Sequence, residues 1–209
     1  MTARDPSTDD PRLQLEPASG RSRLWLWLLT VAVPVLLAAM APLLPGHGPA
    51  PYWLPDFLPP WLVAPLFVLV LTAAIWFALD RLMQRHRLRL DAGALEIVTT
   101  LYRQRLPLSD LQLDAARVVA IDERPELKPM LKSNGMALPG FRSGWFRSRT
   151  FKKLFVATAG GKRLLWLPTS RGHALLLQVR QPQVLLDRLR ELAADATTAA
   201  RMTASARPR

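Results

Sequence analysis

The sequence predicts two membrane-spanning helices followed by a mainly β domain, a small split barrel that a C-terminal α-helix caps. Residues 24–44 and 61–79 form apolar runs of 21 and 19 residues, and neither run contains a charged side chain. About 20 helical residues are enough to cross the hydrocarbon core of a bilayer. Between residues 86 and 179, short runs rich in apolar and β-branched residues alternate with Gly, Pro and Asp. That spacing is typical of short strands joined by turns.

The charges around the apolar runs predict how the chain is oriented. Residues 1–20 are polar and rich in Pro and Asp, which predicts a disordered cytoplasmic tail. The helical hairpin is expected within residues 21–84. Four arginines precede its first run and four closely follow its second, namely Arg4, Arg12, Arg21 and Arg23, and Arg81, Arg85, Arg87 and Arg89. The connector 45–60 contains no Lys or Arg. By the positive-inside rule, both chain ends of this multi-pass protein face the cytoplasm.

Two other interpretations of the apolar runs stay open. They could be buried core helices of a soluble protein, or the first could be a signal peptide cleaved near Ala39-Met40-Ala41. Pro42 would follow that cut, which disfavours cleavage. Neither run contains an ionisable side chain, and an ion pathway normally needs one. We therefore interpret the hairpin as an anchor.

The remaining residues predict a β domain over 85–194 and a flexible basic tail over 195–209. Residues 159–161 (Ala-Gly-Gly) predict a tight hairpin between the two strands that flank them. Residues 122–144 hold six Gly and Pro residues and predict a long irregular segment. Pro182 begins a helix to about residue 193, with apolar residues at helical spacing. The predicted strands are 86–90, 94–99, 102–106, 117–121, 151–158, 162–167 and 173–179.

The charge of the chain is concentrated after the second apolar run. The whole sequence has 28 Lys and Arg against 16 Asp and Glu, for a net charge of +12. From residue 80 onward there are 24 cations and 11 acids, which gives 24 − 11 = +13, and residues 127–186 contain no acid. Anionic lipids and nucleic acids are the usual partners of such charge, although positive-inside bias and ordinary solubility charge would also explain it. The absence of cysteine excludes disulfides and thiolate chemistry.

A glycine and proline motif stands inside the predicted irregular segment. Gly135, Gly140 and Gly144 allow backbone angles closed to other residues, and Pro139 restricts the residue before it to extended conformations. Such a segment turns sharply and leads into Trp145. It could be a turn-rich connector with Trp145 in the core, or it could form a groove for a ligand or peptide.

This motif carries a resemblance to a known group of proteins. Residues 134–146 resemble the N-G-x-x-x-P-G-x-x-x-G-x-F signature of membrane-associated bacterial PH-like (pleckstrin homology-like) domain families. The resemblance covers about residues 88–192 and implies a PH-like roll behind transmembrane helices at the bacterial inner membrane. It implies no activity, because most of these families have none established. The basic stretch 147–153 departs from the plainer hairpin expected there.

No arrangement of residues typical of an enzyme is found. The three histidines are far apart in sequence, and none belongs to a metal-binding motif. No nucleophile elbow or phosphate-binding loop occurs. Asp122, Glu123 and Glu126 could bind a cation, but a solvated loop explains them as well. We therefore expect no enzyme and no cofactor.

Two hypotheses about function follow from these observations. In the first, the domain is an anchored scaffold that binds a protein or peptide at a strand edge or at the motif. In the second, a basic cluster binds anionic lipid headgroups. Nucleic acid is a third and less favoured partner, because the tether keeps the domain at the membrane. The motif residues are Gly135, Pro139, Gly140, Gly144 and Trp145, and the basic cluster is Arg142, Arg147, Arg149, Lys152 and Lys153.

Overall fold

The computed structural model describes residues 10–43, 59–91 and 93–205, which fall into two compact units. Residues 20–82 form a helical unit, and residues 10–19 join residues 83–205 in a β unit. Residues 1–9, most of the predicted connector 45–60 and the end of the predicted basic tail lie outside the described residues.

The helical unit contains two apolar helices. The first, Gly20–Met40, consists of α1 (Gly20–Trp27), a π-helical turn (Leu28–Ala32) and α2 (Val33–Met40). The π turn directly precedes Pro34, whose ring would clash with the carbonyl of residue 30 in a regular helix. The second helix is α3 (Pro60–Met83).

Both apolar helices are long and apolar enough to cross a membrane, by length and composition. The most apolar windows of the two helices are 11% and 0% buried within the protein, so neither has the burial of a core helix. Arg23 forms a bidentate ion pair with Asp80, with Nε–Oδ1 at 2.5 Å and Nη2–Oδ2 at 2.9 Å. This pair joins the start of the first helix to the end of α3, so the two helices are antiparallel.

The β unit contains two sheets and one helix. The small sheet is antiparallel, in the order β1-β2-β3, and the large sheet has the order β4-β8-β9-β7-β6-β5. The elements are β1 (Arg87–Asp91), β2 (Ala94–Val98), β3 (Arg103–Pro107), β4 (Arg117–Ala120), β5 (Pro129–Leu138), β6 (Phe141–Ser148), β7 (Lys153–Thr158), β8 (Arg163–Pro168), β9 (His173–Leu177) and α4 (Pro182–Ser205).

The mainly β architecture with a C-terminal helix is confirmed, but the sheets do not close into a barrel. The larger core cluster collects side chains from both sheets, from residues 10–19 and from α4. A second cluster on the large sheet includes Val119, Phe146 and Leu176. The helix continues to Ser205 instead of ending near residue 193, because the alanine-rich stretch after residue 193 has high helix propensity.

The predicted hairpin around residues 159–161 is wrong. Strand β9 lies between β7 and β8, parallel to β7 and antiparallel to β8. The Oε1 atom of Gln178, just after β9, accepts hydrogen bonds from the backbone of Ala159 at 2.8 Å and of Gly161 at 2.7 Å. The turn is therefore held against the end of β9. The two strands that flank the turn, β7 and β8, are separated by β9.

The predicted irregular segment 122–144 is also largely wrong. It contains all of β5 and half of β6, which pair as an antiparallel hairpin around Pro139 and Gly140. The register shifts twice within β5, before Leu131 and before Asn134. The glycines allow the two strands to bend and approach each other closely, so they do not end the strands.

Residues 10–19 differ from the predicted disordered tail. Leu13 and Leu15 are 6% and 3% exposed and belong to the larger core cluster. The side chain of Gln14 makes two hydrogen bonds to the backbone of Leu88, at 3.0 and 3.1 Å. Leu15 forms a β-bridge with Val179. Leu13 ends a turn closed by its backbone hydrogen bond to Asp10, and Leu15 follows at the bridge, so both leucines dock this segment in the core.

Candidate functional site

The hairpin that joins β6 to β7 carries most of the predicted basic cluster, and we call residues 147–153 the basic tip. Its turn is held by backbone hydrogen bonds from Ser148 to Lys152 and from Phe151 to Ser148, both at 3.0 Å. The buried hydroxyl of Ser148 also accepts a hydrogen bond from the backbone of Lys152 at 3.2 Å. These contacts fix the backbone of the tip, so its side chains project from a defined turn.

Phe151 lies at the end of the basic tip in an unusual conformation. Its φ is +59°, the one positive φ outside glycine among the described residues, and 66% of the residue is exposed. The left-handed region costs an L-amino acid about 1–2 kcal/mol. Arg147 donates a hydrogen bond from Nη1 to the Phe151 carbonyl at 3.3 Å. The turn therefore displays an aromatic ring to solvent at a position that glycine would occupy with less strain.

Four exposed cations surround Phe151. In the part of the chain that the structure describes, none of them pairs with a carboxylate. Arg147 lies directly opposite Lys153 across β6 and β7, and like charges in that position destabilise a sheet. The tip therefore concentrates positive charge that a partner could neutralise. The four cations are Arg147, Arg149, Lys152 and Lys153.

Arg142, the fifth predicted cation, does not belong to the basic tip. It lies near the start of β6, five residues before Arg147 in the sequence. Arg142 is half-buried and donates a hydrogen bond from Nη1 to the Pro129 carbonyl at 3.0 Å. The structure thus places Arg142 outside the turn that carries the other four cations, bonded instead to the backbone at the start of β5.

The motif glycines shape the β5–β6 hairpin. Gly135 and Gly144 face each other across the two strands. A Cβ on Gly144 would lie 2.7 Å from the Asn134 carbonyl oxygen and 2.8 Å from the Gly135 Cα, at a φ of +113°. Gly140 has a φ of +78° after Pro139, which matches the positions of a type II turn. These residues allow a close approach of backbones and a tight turn.

Trp145 packs against the larger core cluster. Its ring meets the edges of Phe155 and His173, with both centroid distances at 5.2 Å. The structure therefore places Trp145 as a half-buried packing residue between the motif and the core.

A cleft of about 440 Å³ opens at the Pro139–Gly140 end of the large sheet. Its wall includes the turn at residues 139–140, the turn at residues 160–161, and the side chains of Arg142 and Thr158. No local sequence pattern marks this cleft, since its walls come from segments up to 43 residues apart, from Ile121 to Leu164.

The described histidines and acids do not form a common site. Burial lowers the pKa of His86 to about 4, against a smaller opposite effect of a hydrogen bond to the Glu16 backbone. Its ring stacks on Phe141 at 5.1 Å and hydrogen-bonds the Thr100 hydroxyl at 3.2 Å. Asp122 pairs with Lys162 at 3.2 Å. Among the described residues, no three His, Asp or Glu side chains lie close enough together to hold a metal ion.

Comparisons with known proteins return no relative for this chain. No family model matches it, and neither the curated proteins nor the solved structures contain a match. What the chain does must therefore be inferred from its own residues.

Proposed function

We propose that this chain is a membrane-anchored, non-catalytic module of the bacterial inner membrane whose basic tip binds anionic lipid headgroups. The observation that carries the proposal is Phe151, an exposed aromatic ring held at positive φ beside four cations that form no ion pair with any described carboxylate. Strained residues of this kind persist where they serve binding. An aromatic ring beside cations fits the interface of an anionic leaflet, where both apolar and negative groups are present.

The anchor is the helical hairpin, and its link to the β unit is short. Only residues 84–86 separate α3 from β1. Three extended residues span about 10 Å, so a membrane that holds the helices also keeps the β unit at its surface. Tethering raises the effective concentration of lipid around the domain. A weak intrinsic affinity of the tip for lipid is then sufficient.

The fold supports a hairpin that crosses the membrane twice. Residues 10–19 precede the first apolar helix, residues 83–205 follow the second, and both belong to one compact unit. Two segments packed in one core must lie on the same side of a membrane. The excess of arginine at both ends of the hairpin then favours the cytoplasmic side.

Binding at the tip would give the domain a second attachment point. His86, three residues after α3, stacks on Phe141 at one end of β6, and the basic tip lies at the other end. Two attachments would set the orientation of the domain on the leaflet, which one flexible tether cannot do.

The test uses the full chain with one label at the tip. Because the sequence has no cysteine, Thr150→Cys can be labelled uniquely with a polarity-sensitive dye. The protein is placed in nanodiscs of phosphatidylcholine, with or without phosphatidylglycerol. We expect the dye to report a less polar environment only with the anionic lipid. Raising the salt to about 1 M should abolish this change, because the Debye length falls to about 3 Å.

Two fourfold variants make the test specific. Replacing the tip cations Arg147, Arg149, Lys152 and Lys153 with Gln should abolish the response, at about 1 kcal/mol for each cation that reaches the surface. Replacing four exposed cations outside β5, β6 and β7, namely Arg105, Arg117, Arg163 and Arg180, changes the net charge equally and should preserve the response. The proposal is rejected if the polarity reported by the dye does not change with anionic lipid at low salt. It is also rejected if the two fourfold variants give the same response.

A protein or peptide partner is the second candidate, and β5 favours it. This strand is one of the two outer strands of the large sheet, and its Met130 and Leu131 are 61% and 53% exposed. Pro129, Lys132 and the two register shifts interrupt the edge, and such features oppose the addition of another strand. The resemblance to PH-like scaffolds supports this candidate and stays a prediction. If the basic tip does not bind anionic lipid, a protein or peptide partner becomes the leading hypothesis.

A further inference from the structure

The cleft at the Pro139–Gly140 end of the large sheet has the character of a small-molecule site. Its volume of about 440 Å³ lies within the range of about 300–1,000 Å³ that such sites occupy. Ile121, Leu138 and Leu164 give it an apolar wall. The two turns that border it touch, because a Cβ on Gly160 would lie 2.9 Å from the Gly140 carbonyl oxygen. The cleft is therefore narrow on that side.

One guanidinium and one hydroxyl stand together in this apolar cleft. Arg142 and Thr158 are direct cross-strand partners on β6 and β7, so their side chains are neighbours on the same face. Arg142 has five N–H donors, and the Pro129 carbonyl accepts from Nη1. In the described part of the chain, no carboxylate forms an ion pair with Arg142.

The charge around the cleft favours an anionic ligand. Residues 127–186 contain no acid, and Asp122, the acid next to Ile121 in the cleft wall, pairs with Lys162. A half-buried guanidinium in apolar surroundings binds a carboxylate more strongly than an exposed one does. Its planar fork also matches the two oxygens of a carboxylate.

We infer that this cleft binds a small carboxylate with a short apolar tail. The carboxylate would accept hydrogen bonds from Arg142 and from the Thr158 hydroxyl, and the tail would lie against Ile121, Leu138 and Leu164. None of the residues that line the cleft belongs to the basic tip 147–153, so the inference does not depend on the lipid-binding proposal. It would give an anchored module a soluble ligand to respond to.

Hexanoate is a suitable probe, because its tail is short enough for it to stay mostly in water. The full chain, with labelled Ile and Leu methyl groups, is titrated in phosphatidylcholine nanodiscs and followed by NMR. We expect saturable shifts of the Ile121, Leu138 and Leu164 methyl signals with hexanoate. Neutral hexanamide and cationic hexylamine, which have the same tail, should not produce them. Equal shifts with hexanamide, or none with hexanoate, would overturn the inference.

Variants assign the effect to the two polar residues. Arg142→Gln should weaken hexanoate binding about tenfold or more, the usual effect of losing hydrogen bonds to a charged group. Thr158→Val, which keeps the shape of the side chain, should weaken it less. Arg163→Gln removes an exposed cation outside the cleft and should leave hexanoate binding unchanged. If Arg142→Gln does not fold, Thr158→Val decides alone, and unchanged binding in that variant contradicts the site.

Discussion

Two residues, one in β6 and one in the turn that follows it, have a positive φ for different structural reasons. Gly144 combines a positive φ with a close backbone contact that leaves no room for a Cβ. Phe151 has a positive φ in an exposed turn, where packing in the core does not require an aromatic ring. The role of Gly144 could be predicted from the spacing of the motif. That of Phe151 could not, because aromatic residues rarely adopt this conformation and the sequence carries no signal for it.

Three glycine-to-alanine variants separate the two costs at Gly144. Gly144→Ala adds both a steric clash and a strained φ, and should lower the free energy of unfolding by more than about 2 kcal/mol. Gly172→Ala has a φ of +75° but no atom within 4 Å, so only the strain of about 1–2 kcal/mol applies. Gly93→Ala adds neither a steric clash nor a strained φ, and should leave the free energy of unfolding nearly unchanged. Denaturant unfolding of the three variants gives the comparison, and a Gly144 variant no worse than the Gly172 variant would contradict the close approach.

At the scale of elements, the prediction succeeded where the signal is local. The starts of β1, β2 and β3 fall within one residue of the predicted positions, because alternation and turn residues mark them. It failed where pairing is non-local, since nothing in residues 151–167 shows that β9 will lie between β7 and β8. It also failed in β5, where glycine and proline serve as bend and turn inside a regular hairpin.

Helix α4 divides into a packed part and a projecting part. Leu185, Leu186 and Leu189 are almost fully buried, whereas residues 194–198 are exposed. Leu189→Ala should lower the free energy of unfolding by about 2–5 kcal/mol, through lost burial and the cavity that remains. A stop codon after Ala194 removes residues that are exposed at every position whose burial the structure describes, 195–198 and 202, and should cost less than about 1 kcal/mol. Thermal unfolding of both variants checks this, and an equally large loss on truncation would show that the projecting part packs.

At the scale of the whole molecule, the chain combines an exposed apolar hairpin with a basic β unit. The sequence predicted this division, and four of the five residues in its basic cluster come together at the tip. It could not separate Arg142 from the others, because their distance along β6 appears only once that strand is known. The cleft beside Arg142 escaped prediction for the same reason.

The orientation of the hairpin has a direct test. A reporter that is active only in the cytoplasm should work when fused after Arg209 and fail when inserted near Pro49, because the connector lacks positive charge. The same reporter placed before Met1 should also be active, since residues 10–19 share a unit with residues 83–205. Activity at Pro49 and inactivity at both ends would reverse the orientation and reject binding to the cytoplasmic leaflet.

The docking of residues 10–19 has a consequence for the biogenesis of the protein. Leu13 and Leu15 leave the ribosome before either apolar helix, and Val179, the bridge partner of Leu15, follows about 160 residues later. At about 5–20 residues per second, this interval lasts about 10–30 s. The helices therefore have time to insert before the core that receives the two leucines exists. If the first residues of the nascent chain crossed the membrane during that interval, Leu13 and Leu15 could not reach the core. The finished β unit would then lack these two core side chains.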